Sequence, residues 1–166
     1  NRPLQRTLGI EFLCSSASSI SGATYIYLAR YVFDMGDISS RILFLYFLAG
    51  LLIMPLWMKL SYLIGKSKTL LVSTLLCSFT LSAYIFIDTI DALPILIVLT
   101  ILYGIGYGAP FTLTRALMAD IVDADELRSK KKRPGLFYSI LTTFSKIGAA
   151  IAVGAVYSYL DWSGFK

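Results

Sequence analysis

Five apolar stretches, each long enough to cross a lipid bilayer, divide this chain and leave little between them. They run approximately over residues 7–33, 42–64, 69–87, 93–118 and 135–160. A hydrocarbon core about 30 Å thick needs about 17–25 apolar residues at ~1.5 Å of rise each. In lipid every backbone polar group must be satisfied inside the spanning element, so only helices and closed barrels qualify. Barrel strands would show alternating segments of about 10 residues, and the sequence has none. The expected fold is therefore all-α: a polytopic membrane helix bundle of five transmembrane helices, in a single transmembrane domain covering residues 1–166. Pro55 is expected to kink the second helix, because its ring removes a backbone hydrogen bond. The run from Gly104 to Pro110, GIGYGAP, lies in the fourth. It reads as close helix packing through small residues or as a hinge, with packing the favoured reading. It is no dinucleotide fingerprint, since no βαβ unit surrounds it.

Composition agrees with a lipid solvent. The chain is 57% hydrophobic and 15% charged, where soluble domains carry about 25% charge. The absence of histidine excludes a histidine proton relay or a histidine metal site. Cys14 and Cys77 fall inside separate apolar stretches and read as small buried hydrophobes rather than a disulfide. The net charge of +5 is unevenly placed. Short connections make neighbouring helices antiparallel, and ten cations then share one side: Arg2, Arg6, Lys59, Lys66, Lys68, Arg128, Lys130, Lys131, Lys132 and Arg133. The other side holds Arg30, Arg41 and Lys166 with Asp34, Asp37, Asp88, Asp91 and Asp161. The positive-inside rule puts the ten-cation side, with the N-terminus, in the cytoplasm. The partner implied by this charge is the bilayer, not nucleic acid. An odd number of spans leaves the chain ending outside, so a sixth helix is expected beyond Lys166.

Lys146 is the sole charge in the fifth stretch, about 16 Å from its start and so near the bilayer midplane. A charge there costs at least ~2.5 kcal/mol. A lysine stem of about 6 Å falls short of either interface from that depth, so snorkelling is the weaker account. At about 100° per residue, Ser139, Thr142, Ser145 and Lys146 share an arc of about 120° measured from Tyr138. Phe137, Phe144, Ile147 and Ile151 lie mostly outside it. A water-lined path accounts for such a face; helix packing accounts for the hydroxyls but not the ammonium.

Two further constellations stand out. Glu11, Ser15, Ser18, Gly22 and Tyr25 form a polar stripe on the first helix, read mainly as packing positions. Glu11 lies at a depth similar to that of Arg115 on the fourth helix, which makes the two a candidate ion pair. Asp120, Asp123 and Glu126 follow at i, i+3, i+6 at the end of the fourth helix, with Asp125 beside them and the basic run after. Acids are disfavoured at a helix C-terminus, so cations from neighbouring loops are expected to offset them. The plain alternative is a solvated charged loop. No nucleophile–base pair or metal-ligand cluster appears within the stretches, so an enzyme is not expected.

These residues resemble a known family. Ala119-Asp120-Ile121-Val122-Asp123, then Glu126, a basic loop, Gly135-Leu136-Phe137-Tyr138-Ser139 and Lys146-Ile147-Gly148 resemble the glycoside–pentoside–hexuronide:cation symporters. These are melibiose-carrier-like members of the major facilitator superfamily. Asn1-Arg2-Pro3-Leu4 is similar to the start of that family's second six-helix half. Pro55-Leu56-Trp57 with Gly65-Lys66 is similar to the loop between the second and third helices of that half. The resemblance implies a symporter that couples sugar or glycoside movement to Na⁺, H⁺ or Li⁺ by alternating access. No cofactor is implied, and the cation site lies mainly in the N-terminal half. Lys146 would lie at the central cavity, with Thr142 near the sugar and Phe111 lining the wall; Tyr138 is placed on the same path. Asp120, Asp123 and Glu126 would form a cytoplasmic gate network. The chain departs from the family at Ala124-Asp125, where Tyr-Gly is usual, at Pro134, where glutamate is usual, and at Glu11 and Arg115. The expected location is a bacterial-type cytoplasmic membrane, with the N-terminal half of the same protein as partner. The alternatives are a lipid carrier on the same scaffold and a non-transporting membrane scaffold or subunit.

Overall fold

The computed structural model describes residues 2–27, 38–86 and 92–164. They form five helices: α1 (Arg2–Tyr27), α2 (Ile38–Ile64), α3 (Lys66–Ala83), α4 (Ala92–Ser129) and α5 (Pro134–Trp162), with a 3₁₀ turn over Tyr84–Phe86 after α3. The fold is an all-α membrane helix bundle. By length and composition, four helices suit a membrane crossing: Arg41–Ile64, Lys66–Phe86, Leu93–Ser129 and Pro134–Trp162. α1 is long enough, but Arg2, Arg6, Glu11 and its serines make its described part less apolar than the other four. The expected helix ends at residues 28–33 and 87, and the charges at Arg30, Asp34, Asp37, Asp88, Asp91 and Lys166, lie outside the described residues.

Apolar side chains cover much of the surface. Phe44, Phe47, Leu51, Leu52 and Leu56 on α2 and Leu71, Leu75 and Phe79 on α3 are all exposed. A water-soluble monomer rarely presents such continuous apolar surface; in hydrocarbon it costs nothing. Buried hydroxyls turn inward to their own helices instead. Ser61, Thr69, Ser73 and Thr80 each donate to a carbonyl three or four residues earlier, at 2.7–3.0 Å. That leaves none of these groups unsatisfied where water is absent.

The chain divides into two compact units, residues 26–113 and residues 1–25 with 114–166. In the first, α2 and α3 are joined by Gly65 alone, at φ 90° and ψ 147°. That backbone conformation is strained for any residue with a Cβ. The glycines of α4 settle the choice left open by the sequence, in favour of packing. A Cβ on Gly104 would collide with the Tyr46 carbonyl oxygen, and one on Gly108 would meet the Gly50 oxygen at 2.6 Å. Gly106, on another face, would meet Cys77 Sγ at 2.6 Å. α4 therefore uses alternate glycines to approach α2 and α3 at once, and van der Waals contact of this kind drives helix association in lipid. Trp57 Nε1 donates to the Ile105 oxygen at 2.7 Å, and Tyr84 shares a 3.1 Å hydrogen bond with Thr100. α2 continues through Pro55.

In the other unit, Leu8 of α1, Met118, Ile121 and Val122 of α4, and Phe137 and Leu141 of α5 form one apolar cluster. Leu4, Tyr138 and Ile140 pack around it. Further along, Gly148 lets α5 touch α1: a Cβ there would meet the Phe12 oxygen at 2.7 Å and Ser16 Oγ at 2.9 Å. Beside it Ser15 Oγ donates to the Ser145 oxygen at 2.7 Å. The packing role read for the α1 stripe holds at Ser15, whereas a Cβ on Gly22 would meet nothing within 4 Å among the described residues.

Candidate functional site

α5 presents three faces. Phe137, Leu141, Gly148 and Ala152 are buried, and they recur at the spacing of one helical stripe. Phe144, Ile147 and Ile151 are exposed and apolar. Ser139, Thr142, Thr143 and Lys146 make up the third face, and all four are exposed. Lys146 lies about 140° around the helix from Leu141, away from the core of its unit. It also sits close to the midpoint of the 29-residue helix.

The hydroxyls on this face are already oriented. Thr142 Oγ1 donates to the Tyr138 oxygen and Thr143 Oγ1 to the Ser139 oxygen, both at 2.9 Å. Each hydroxyl oxygen keeps lone pairs directed off the helix, ready to accept from a ligand hydroxyl. Tyr138 is partly buried against the apolar cluster, and its hydroxyl donates to the Arg115 carbonyl at 3.4 Å. Tyr138 thus ties α5 to α4 at the edge of the polar face. Ser145 is partly buried, and its carbonyl faces α1 through the Ser15 bond, so it borders this face rather than lining it. The arrangement supplies an exposed ammonium and acceptor hydroxyls about one turn from each other.

Phe111 belongs to the other unit and is 49% exposed on α4. Glu11 is buried at 8% relative exposure, while Arg115 is exposed. Asp120 and Asp123 are exposed and Glu126 is partly so. All three stand on α4 itself, because the helix runs on past Met118 to Ser129. Its 38 residues span about 57 Å, well beyond a hydrocarbon core of about 30 Å. The charged end can therefore leave the lipid without leaving the helix.

The basic loop folds back onto that end. Arg133 Nη2 donates to Asp125 Oδ2 at 2.9 Å, and Lys132 Nζ pairs with Glu126 at 3.5 Å. Lys130 takes a left-handed conformation, φ 54°, and its amide bonds to the Glu126 oxygen at 2.9 Å. These cations stand at the negative end of the α4 dipole, where they are favourable. The sequence showed the charges but not this pairing, which depends on how the turn after Ser129 is made. A second feature missed by the sequence reading is a tyrosine stack: Tyr46 lies 5.7 Å from both Tyr103 and Tyr107, ring to ring. Tyr103, Tyr107 and Phe111 recur every four residues, a spacing that marks one side of α4.

The family model described as MFS/sugar transport protein matches residues 1–166. The chain is 30% identical to a glucuronide carrier protein homolog of Escherichia coli, over 99% of this chain and 36% of that protein. It is 30% identical to the uncharacterized symporter YnaJ of Bacillus subtilis, over 91% of this chain and 32% of that protein. It is 24% identical to the sphingosine-1-phosphate transporter MFSD2B of Xenopus tropicalis, over 92% of this chain and 29% of that protein. The chain thus spans about a third of the length of these relatives. No solved structure matches it.

Proposed function

Because this chain belongs to the MFS/sugar transport protein family, we propose that it forms the C-terminal half of a cation-coupled symporter for sugars or glycosides. In this reading residues 1–166 are one transmembrane domain of a six-helix half, working by alternating access against an N-terminal half. The observation that carries the reading is the polar face of α5. An ammonium near the helix midpoint, flanked by oriented hydroxyls, points away from the core of its own unit. A charge at that depth is retained only with a partner or an aqueous path. Relatives named as a symporter and a glucuronide carrier homolog support the same reading.

Lys146, Thr142 and Tyr138 form the share of the substrate and cation path carried by α5, and Phe111 is assigned to that path by the family resemblance alone. The lysine acts as a fixed positive charge whose partner is an acid of the N-terminal half. When the coupling cation occupies that acid, the lysine is released to the substrate, which links the two binding events. Asp120, Asp123 and Glu126 belong to a cytoplasmic gate network, and the N-terminus and basic loops face the cytoplasm of a bacterial-type membrane. Uptake and binding by the full-length protein test this, with and without an imposed Na⁺ or H⁺ gradient. Lys146→Leu is expected to reach the membrane folded but to lose gradient-driven uptake, and its substrate affinity is expected to stop depending on the ion. Lys146→Arg restores only part, since a planar guanidinium directs its donors differently. Normal coupled uptake by Lys146→Leu would refute the reading.

The similarity to a sphingosine-1-phosphate transporter supports a second reading, a lipid carrier on the same fold. There the ammonium would meet an anionic headgroup. Saturable uptake of a lysophospholipid but of no glycoside would decide for it.

A further inference from the structure

The turn between α4 and α5 carries more positive charge than the acids beside it neutralise. Arg128, Lys130, Lys131, Lys132 and Arg133 follow one another with no acid among them. Arg133 pairs with Asp125 at 2.9 Å and Lys132 with Glu126 at 3.5 Å. Arg128, Lys130 and Lys131 are exposed, and among the described residues they make no ion pair. The backbone keeps these three close together. Lys130 has φ 54° and its amide returns to the Glu126 oxygen at 2.9 Å, while the Lys131 amide donates to Ser129 Oγ at 3.3 Å. The chain thus leaves α4 at once, and the three cations gather at the negative end of its dipole. Asp123 and Asp120 lie about 8 Å and 12 Å back along the α4 axis from Arg128, a screening length or more away in physiological salt.

Height along the helices places this charge at a bilayer surface. Val122 of α4 and Phe137 of α5 share one apolar cluster, the last apolar layer before the charges begin. Residues 125–129 reach about 5–11 Å past Val122, and the headgroup layer is about 5–8 Å deep on each side of the hydrocarbon. Two bare leucines accompany the cations: Leu127 is 84% exposed and Leu136 is 54% exposed. Leu127 lies about 140° around α4 from buried Val122, and Leu136 about 140° around α5 from buried Leu141. Both therefore turn outward. A soluble anion would satisfy the cations and leave the leucines in water. A phospholipid satisfies both, with its phosphate at the cations and its acyl chains at the leucines.

We propose that the α4–α5 turn is a binding surface for an anionic phospholipid, with Arg128, Lys130 and Lys131 at the headgroup and Leu127 and Leu136 in the upper acyl region. The site is independent of what the protein transports.

The test uses the full-length protein with a single cysteine, Gly135→Cys, in a background lacking Cys14 and Cys77. A Cβ at Gly135 meets nothing within 4 Å among the described residues, so a fluorophore is tolerated there. The protein is reconstituted in phosphatidylcholine vesicles containing a small, equal fraction of nitroxide-labelled phosphatidylglycerol or nitroxide-labelled phosphatidylcholine. Quenching is expected to show a preference for phosphatidylglycerol of at least about fivefold, the scale of one cation at an anionic surface. The preference falls to near parity in 0.5 M salt, as screening requires, and in the combined Arg128→Gln, Lys130→Gln and Lys131→Gln variant. Replacement of both lysines by arginine retains it. A fluorophore on Phe79→Cys, an exposed position on α3, reports no such preference. Parity in the parent protein, a preference that survives either high salt or the triple substitution, or an equal preference at position 79 overturns the site. Loss of the preference on adding inorganic phosphate, but not chloride of equal ionic strength, assigns the cations to a soluble anion and overturns it as well. If the triple variant does not fold, the salt dependence of the parent decides.

Discussion

Two glycines on α5 make opposite predictions for the same substitution. A Cβ on Gly148 would stand 2.7 Å from the Phe12 oxygen, 2.9 Å from Ser16 Oγ and 3.2 Å from Phe12 Cδ2. The nearest atom is backbone, so no side-chain rotation relieves the contact and α1 must move off α5. Overpacking of this kind costs about 1–3 kcal/mol. The movement also stretches the Ser15–Ser145 hydrogen bond, and interhelical bonds in membranes average about 0.6 kcal/mol. Alanine returns about 0.8–1 kcal/mol through its higher helix propensity. The net expectation for Gly148→Ala is a loss of roughly 0.6–2.8 kcal/mol, the sum of these terms. A Cβ on Gly154, six residues further on, would meet nothing within 4 Å among the described residues. Gly154→Ala keeps only the propensity gain, about 0.8–1 kcal/mol in favour of folding. The assay is thermal unfolding of the full-length protein in detergent, read as the monodisperse fraction remaining after heating. Gly148→Ala should melt below the parent and Gly154→Ala above it. Equal shifts of the two variants would show that α1 and α5 do not make this contact.

Two other expectations concern the ends of the helices. Asp120→Asn or Asp123→Asn in the full-length protein should slow transport more than it weakens substrate binding, because both acids stand on the projecting end of α4 and not on the α5 polar face; an equal loss of binding in folded protein would place them at the substrate instead. A single cysteine at Lys66 or Lys131, in a background lacking Cys14 and Cys77, should resist an impermeant thiol reagent in intact cells and react once the cells are opened; labelling of position 131 from outside would reverse the orientation.

The helices themselves could be found in the sequence because bilayer thickness imposes a length that apolar stretches display directly. That argument marks where lipid ends, not where a helix ends. It therefore stopped the fourth helix at Met118, while the backbone hydrogen bonding continues to Ser129. The polar face of α5 could also be read in advance, since 3.6-residue periodicity puts Thr142 and Lys146 on one side whatever surrounds them. Nothing in the sequence signalled that Tyr46 would lie against Tyr103 and Tyr107, more than fifty residues later.

Sequence by itself determined the lipid solvent, the number of helices, the place of Lys146 along α5 and the family resemblance. Each depends on local composition or on spacing within one helix. Tertiary structure alone decided which glycines are contact points and which are bare. Gly148 and Gly154 read alike in the chain, and only the Phe12 backbone beside one of them makes them differ. It also decided that Gly104 and Gly108 serve α2 while Gly106 serves α3, and that Arg133, among five neighbouring cations, takes Asp125. The physical reason is common to all three: these are contacts between chain segments brought together by folding, and their distances depend on where a second backbone comes to rest.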